Sequence, residues 1–229
     1  MKYVKHHFNN ALKHFILSAI FLAFSGNDVI SQYKSPAGSL NFGISTYQGI
    51  SFLEGAQFTD IKPGYAQASG LNIKYYQTIT IGLQVDILYS KAAGTFSKIE
   101  ALSNQNNLKI KTKQKLNFIS VPISINLYLS DRFESENIHI KLGVVPSFLI
   151  KAVKSSNNPE ENGDKVENSN DFRSMDFGFL AGIGVEVRRF NLIGEYYLGV
   201  YNLNADKNGS RITNHGPRIG LNYFLKRWD

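Results

Sequence analysis

Residues 175–187 read MDFGFLAGIGVEV. Met175, Phe177, Phe179, Ala181, Ile183, Val185 and Val187 share one parity, and Asp176, Gly178, Leu180, Gly182, Gly184 and Glu186 share the other. Strict alternation is the period of a β-strand, whose successive side chains point to opposite faces. The constraint lies in the second set. A strand at a wet surface carries Lys, Glu, Ser or Thr on its outer side, and here that side is mostly glycine and acid. Glycine on an uncrowded outer face weakens a strand for no gain. Inside a small closed barrel it leaves room for large or charged neighbours. The apolar set is therefore expected to face outward and the polar set to fill an interior.

The same alternation recurs along the chain. Leu40, Phe42 and Ile44 begin it, followed by Leu71 to Tyr75, Ile79 to Tyr89, Ile119 to Leu129, Ile138 to Val144 and Ile219 to Leu225. The opposite face carries Lys74, Asp86, His139, Lys141, Asp176, Glu186, Glu195 and Arg218 among Gly, Ser, Thr and Asn. This period gives about eight strands and no helix beyond the N-terminus. Short connections at Gln77–Thr78, 130–136 and Arg189–Asn191 alternate with longer polar ones at 48–64, 92–108, 152–171 and 201–215. Short turns on one side and long loops on the other follow the plan of an outer-membrane barrel. The predicted fold class is all-β: an eight-stranded antiparallel up-and-down transmembrane β-barrel over residues 32–229. A soluble lipid-binding barrel with its apolar face inward is the alternative.

Residues 1–31 read as a secretory signal. Lys2, Lys5 and Lys13 precede the apolar run FILSAIFLAF, and small and polar residues follow, with cleavage expected near Ser31. An uncleaved anchor is the competing reading, but about ten apolar residues are too few to span a bilayer comfortably. The chain has no cysteine, which excludes thiol catalysis, disulfides and Cys-ligated zinc. Its net charge of +7 is modest and no long basic run appears, so no nucleic-acid partner is expected. Gly178, Gly182 and Gly184 lie within a strand and no GK[ST] follows, so they form no phosphate loop. No metal-ligand spacing is found, and no cofactor is expected.

Eight tilted strands enclose a space just wide enough to be filled with side chains, and charges buried there must pair. Lys74, Asp86, Lys141, Asp176, Glu186, Glu195 and Arg218 therefore read as a lumen charge network, with the pairing of acids and bases left open. Glu186 and Glu195 flank a turn on one face; they read as ion-pair partners of Arg218 or Lys141 rather than as a hydrolytic carboxylate pair. His139 faces inward near the periplasmic end. His215, with Ser210 nearby in sequence, lies at the extracellular side and reads as a loop histidine rather than a catalyst. Lys109, Lys111, Lys113 and Lys115 share one parity just beyond the expected membrane part of their strand. They suit lipid headgroups, such as lipopolysaccharide phosphates, or a solvated edge that repels strand pairing. Tyr75, Tyr76, Tyr89, Tyr128, Tyr196, Tyr197, Tyr201 and Tyr223 read as interfacial girdles.

The stretches LNFISVPISINLYL (116–129), IHIKLGVVPSFLIKA (138–152), MDFGFLAGIGVEV (175–187), NLIGEYYLGVYNL (191–203) and GPRIGLNYFL (216–225) carry a resemblance. Pro122 lies near the middle of an apolar strand, a Gly-x-x-Pro strand follows at Gly143 and Pro146, and an Asp-Phe-Gly strand with spaced glycines comes next. In this order and spacing the chain resembles the PorT-type outer-membrane β-barrel proteins common in Bacteroidetes. The resemblance implies a barrel with both ends in the periplasm, and it suggests an accessory part in a protein-secretion or gliding apparatus. Phe224 or Trp228 would supply the terminal aromatic by which assembly machinery reads such barrels. The functional expectation is a structural or partner-binding role through the four long loops, in contact with outer-membrane lipid and other envelope proteins. The lumen is expected to be plugged rather than a large pore. No enzymatic activity is expected; a lipid-modifying hydrolase is the alternative.

Overall fold

The computed structural model describes residues 37–55, 59–101, 107–129, 136–156, 165–206 and 211–228. The expected signal segment 1–31 and its cleavage point lie outside them. The strands are β1 (Leu40–Gly55), β2 (Thr59–Tyr76), β3 (Ile81–Ala101), β4 (Asn107–Ser120), β5 (Ile123–Tyr128), β6 (Glu136–Ser156), β7 (Lys165–Glu167), β8 (Met175–Val187), β9 (Phe190–Gly199) and β10 (Ile212–Trp228). β4 and β5 are one stave interrupted at Val121–Pro122. Leu88 opposite Ser120 and Val85 opposite Ile123 keep a single register across the break. Proline has no N–H to give the ladder, but its carbonyl still accepts from Asp86 N at 2.9 Å.

Every pairing is antiparallel, and the staves close a ring of eight: β1, β2, β3, β4/β5, β6, β8, β9, β10 and back to β1. The inward row Tyr76, Gly82, Asn126, Lys141, Gly182, Glu195, Arg218 starts beside Ser39 and ends opposite Gly49, a stagger of ten residues. Ordinary strand spacings then put the tilt at roughly 40° and the barrel radius at about 8 Å. That interior admits side chains and little else.

The faces sort as the glycine argument requires. Lys74, Asp86, His139 and Lys141 are fully buried and Asp176, Glu186 and Glu195 nearly so, while Ile44, Leu71, Ile87, Ile125, Leu142, Phe179, Ile183, Leu192 and Ile219 are exposed. A Cβ added to Gly184 would lie 2.4 Å from the His139 ring, to Gly182 2.6 Å from Glu195, to Gly178 2.5 Å from the Tyr197 ring, and to Gly220 2.2 Å from the Tyr47 ring. Gly178, Gly184 and Gly220 each make room for an inward ring, and Gly182 lets the Gly194–Glu195 backbone approach closely.

The long connections are shorter than the sequence reading has them. β1 runs to Gly55 and β2 starts at Thr59; β3 runs to Ala101 and β4 starts at Asn107; β6 runs to Ser156. Most of 48–64 and 92–108 is therefore paired strand. At about 3.3 Å per residue and this tilt, the 21 residues of β3 or β6 rise roughly 50 Å, twice the apolar band of about 25 Å. The staves stand well clear of the apolar belt at one end. There the pattern turns over: Leu53, Ala92, Leu116, Phe118, Ala152, Leu203 and Ile212 are packed inside, and Lys91, Lys113, Lys115 and Lys151 point out.

On β6 the register slips between Phe118–Leu149 and Asn117–Lys151, so Ile150 is an extra residue; Ile150 and Lys151 are both exposed, and Ala152 returns inward. A second bulge lies where β10 passes β1, between Phe42–Lys226 and Gly43–Phe224. The β8–β9 turn is Arg188–Arg189, one residue earlier than expected, with Arg188 in the left-handed region at φ 53°. The Tyr76–Ile81 turn is held by the Thr78 hydroxyl, which accepts from Thr80 N and Ile81 N.

Candidate functional site

The lumen is built in levels. Near the end with the short turns, Lys74 on β2 meets Glu186 on β8 at 2.7 Å. The Tyr76 and Tyr128 hydroxyls also donate to Glu186, at 2.6 and 2.7 Å. The Lys74 ammonium sits 5.2–5.4 Å from the centroids of the Tyr76, Tyr128 and Phe224 rings, and His139 lies against Tyr128 at 5.0 Å. Glu186 thus pairs with Lys74 rather than with Lys141 or Arg218. Phe224 is fully buried in this floor and not presented as an exposed terminal aromatic; the side chain of Trp228 lies outside the described ones.

One level up, Glu195 on β9 holds two cations, Arg218 Nε at 2.5 Å and Lys141 Nζ at 3.1 Å. Asp86 lies 3.9 Å from Lys141 and takes Gln84 Nε2 at 2.8 Å. The Tyr47 ring sits between the cations, 5.2 Å from Lys141 and 4.9 Å from Arg218, and its hydroxyl accepts from Lys141 at 3.1 Å. Two acids and two bases balance. Above them Asp176 takes the Tyr197 hydroxyl at 2.8 Å rather than a cation. Tyr76, Tyr128 and Tyr197 are therefore lumen ligands and not girdle residues, because buried carboxylates need donors. Tyr75, Tyr89 and Tyr196 do stand exposed on the outer wall, and Tyr201, past the end of β9, is exposed too.

A cavity of about 50 Å³, lined on its inner side by Ser51, Ala68, Ser120, Val145, Ser147 and Asp176, separates the charges from the apolar cap. That volume holds a few waters. The cap is closed by residues 201–206. Leu203 is fully buried against Leu53, Leu116 and Ile212. Its segment is tied down by Arg173 N to Leu203 O (2.8 Å), Leu203 N to Ile212 O (2.8 Å), and the Asn202 side-chain Oδ1 accepting from Asn204 N and Ile212 N. Part of the stretch expected to be a free loop is thus the lid of the barrel.

On the outer wall, Lys111, Lys113 and Lys115 are exposed on β4, and the side chain of Lys109 lies outside the described ones. Lys115 is two rungs above Ile119, which is level with Tyr89 and Phe148, the top of the apolar belt. At about 2.5 Å of axial rise per residue, Lys115 sits roughly 10 Å above that edge and Lys111 roughly 20 Å. Lys91 and Lys151, which the sequence reading passed over, flank Asn117 one rung above the belt. Lys151 donates to Glu167 at 3.0 Å, and with the Ser169 hydroxyl it holds that carboxyl below the usual carboxylate range. His215 is on β10, not in a loop. Its Nδ1 is 2.7 Å from the Tyr196 hydroxyl and its Nε2 3.1 Å from Glu54, with Phe52 stacked on the ring. Ser210 lies outside the described residues. No group of three or more potential metal ligands occurs among the described residues.

A closed ring of eight tilted strands, apolar outside and ion-paired inside, is a transmembrane β-barrel. The chain belongs to the family of the outer membrane protein beta-barrel domain, whose model matches residues 31–204. The closing strand β10 lies past the matched stretch. The protein is thus a bacterial outer-membrane barrel. Among solved structures, it is similar to the attachment invasion locus protein Ail of Yersinia pestis, at 15% identity over 84% of this chain and 99% of that one, TM-score 0.44. It is also similar to Neisserial surface protein A, at 13% identity over 81% and 98%, TM-score 0.47. The outer membrane protein OprG of Pseudomonas aeruginosa shares 11% identity over 86% and 99%, TM-score 0.49. Comparison with curated proteins finds no match.

Proposed function

We propose that this barrel is a non-conducting outer-membrane element that works through the part standing above the membrane, binding an envelope partner there. The observation that supports this reading is the filled interior: two ion-paired levels and an apolar cap leave no through-path of water-lined space among the described residues. Purified barrel refolded into a planar bilayer is expected to give no discrete conductance steps; reproducible steps would refute the closed lumen. The partner class follows the resemblance to PorT-type barrels of Bacteroidetes, an accessory component of a secretion or gliding apparatus. Stable co-purification of such components from detergent extracts tests it. Residues 1–31 are its export signal, cleaved near Ser31. It is not an enzyme: Glu186, Glu195 and Asp86 are engaged by Lys74, Lys141 and Arg218, Asp176 by the Tyr197 hydroxyl, and the Tyr196–His215–Glu54 group reads as an interfacial girdle.

A second reading concerns lipid. Lys91, Lys115 and Lys151 stand just above Tyr89, Ile119 and Phe148, at the height of headgroup phosphates, where a cation is worth about 1 kcal/mol. Lys111 stands higher. Changing Lys91, Lys115 and Lys151 to Gln is expected to lower lipopolysaccharide retention on the purified barrel more than changing Lys111 and Lys113. Equal retention in both variants would refute it.

A further inference from the structure

Beyond the apolar belt the outer faces of the staves differ. β1 and β10 present Phe52, Glu54, Thr213 and His215 there. β2, β3 and β4 instead present lysines around a row of short side chains. By alternation, the outward residues of β3 are Lys91, Ala93, Thr95 and Ser97. On one side, Ala93 is opposite Lys115, Thr95 opposite Lys113 and Ser97 opposite Lys111. On the other side, Thr95 is opposite Lys62 of β2. These five lysines are exposed, whereas Ala93 and Thr95 are half-buried and Ser97 is buried. The long side chains stand over the short ones, so β3 is the floor of a trough.

Its walls are two strand spacings apart, about 10 Å from Lys62 to Lys113. From Lys91 to Ser97 it runs about 20 Å along the strand and rises about 15 Å. Lys91 is its foot, directly above Tyr89 at the edge of the belt. The trough is therefore continuous with the lipid-facing wall. Among the described residues, Lys62, Lys91 and Lys113 form no ion pair with a carboxylate, and the nearby Glu167 is engaged by Lys151. A groove that is cationic on both sides and opens at the membrane surface fits an anionic chain that starts at that surface.

We propose that the trough holds the acid-bearing inner sugars of one lipopolysaccharide molecule. This rests on the lipid reading of Lys91, Lys115 and Lys151 and carries it upward. The lipid phosphates meet those three lysines at the foot. The sugars joined to the lipid carry further carboxylates and phosphates, and they rise between Lys62 on one wall and Lys111 and Lys113 on the other. An ammonium on a flexible stem serves such anions as a point charge. The Thr95 hydroxyl, donor and acceptor at once, faces the sugar hydroxyls from the floor. A free polyanion would have no use for a foot at the belt, and the continuity of the trough with the lipid-facing wall favours an anchored chain.

The test measures dissociation constants of the purified full chain for lipopolysaccharide with its inner core and for lipid A alone. A cation near a membrane anion is worth about fivefold in affinity. Lys62→Gln/Lys111→Gln/Lys113→Gln should thus weaken binding of the core-bearing form at least roughly tenfold and leave lipid A unchanged. Thr95→Trp, which fills the floor without altering charge, should do the same. Lys91→Gln/Lys115→Gln/Lys151→Gln should weaken both ligands. Heat-modifiable gel mobility shows each variant folded. Equal weakening for both ligands in the upper variant, or full binding of the core-bearing form by Thr95→Trp, overturns the trough. If the lower variant alone weakens binding, the lipid reading stands and the trough falls. If the lower variant binds both ligands as before, the lipid reading falls and the trough with it.

Discussion

Glu195 is the carboxylate whose loss should be felt most sharply. It serves Arg218 at 2.5 Å and Lys141 at 3.1 Å, and neither Glu195 nor Lys141 exposes any side-chain surface. Asp86, at 3.9 Å, is too far to take over the Lys141 contact fully. Glu195→Gln keeps the shape and leaves two cations with one acid in a space of about 8 Å radius. Breaking a buried pair in this way costs about 3–5 kcal/mol. Arg218→Met in the same chain removes the surplus cation and leaves Lys141 with Asp86. The second change should therefore restore about 1–3 kcal/mol when Glu195→Gln is already present, although by itself it is destabilising. Urea unfolding from lipid vesicles, followed by the single tryptophan Trp228 and by gel mobility, measures all four corners of the cycle. If Arg218→Met adds a further loss to Glu195→Gln, the two residues act independently and the balanced-cluster reasoning fails.

Other outcomes follow from the same geometry. Gly184→Ala puts a Cβ 2.4 Å from the His139 ring and should cost about 1–3 kcal/mol by overpacking, whereas Gly194→Ala, with open space around it, should be neutral; vesicle unfolding compares the two. Leu116→Ala, in the cap, should cost about 2–5 kcal/mol and increase protease cutting of the staves beyond the apolar belt, while the membrane part keeps its heat-modifiable mobility. Tyr128→Phe removes one of three donors to Glu186 and should cost about 1.5–3 kcal/mol, read by the same unfolding assay.

The inside-out parity was legible because membrane and lumen impose opposite chemistries, and glycine beside acid at Gly182, Gly184 and Glu186 fits only one of them. The partners were not legible. Lys74 meets Glu186 because a stagger of ten residues turns β2 and β8 toward each other across the lumen, and the stagger is a property of the closed ring. The inward tyrosines were signalled: Tyr76 shares parity with Lys74, Tyr128 with Asn126, and Tyr197 with Glu195. The extended staves were half-signalled. LKIKTKQKL alternates cleanly, but above the apolar belt lysine takes the outer face while Thr112, Gln114 and Leu116 turn inward, so following one hydropathy sign makes the strand seem to end.

The bulge at Ile150 has a genetic consequence. Deleting one residue from a strand ordinarily turns everything beyond it to the opposite side. Ile150 is surplus to the pairing with β4, and its neighbours Leu149 and Lys151 already alternate without it. A chain lacking Ile150 would keep Lys151 outside and Ala152 in the cap, with the stave straightened. A chain lacking Leu142 would swing Lys141 and every residue before it, or Gly143 and every residue after it, through the wall. This stave therefore tolerates a one-codon deletion at the height where the barrel leaves the membrane, and length changes there can accumulate without disturbing either the lumen below or the lid above.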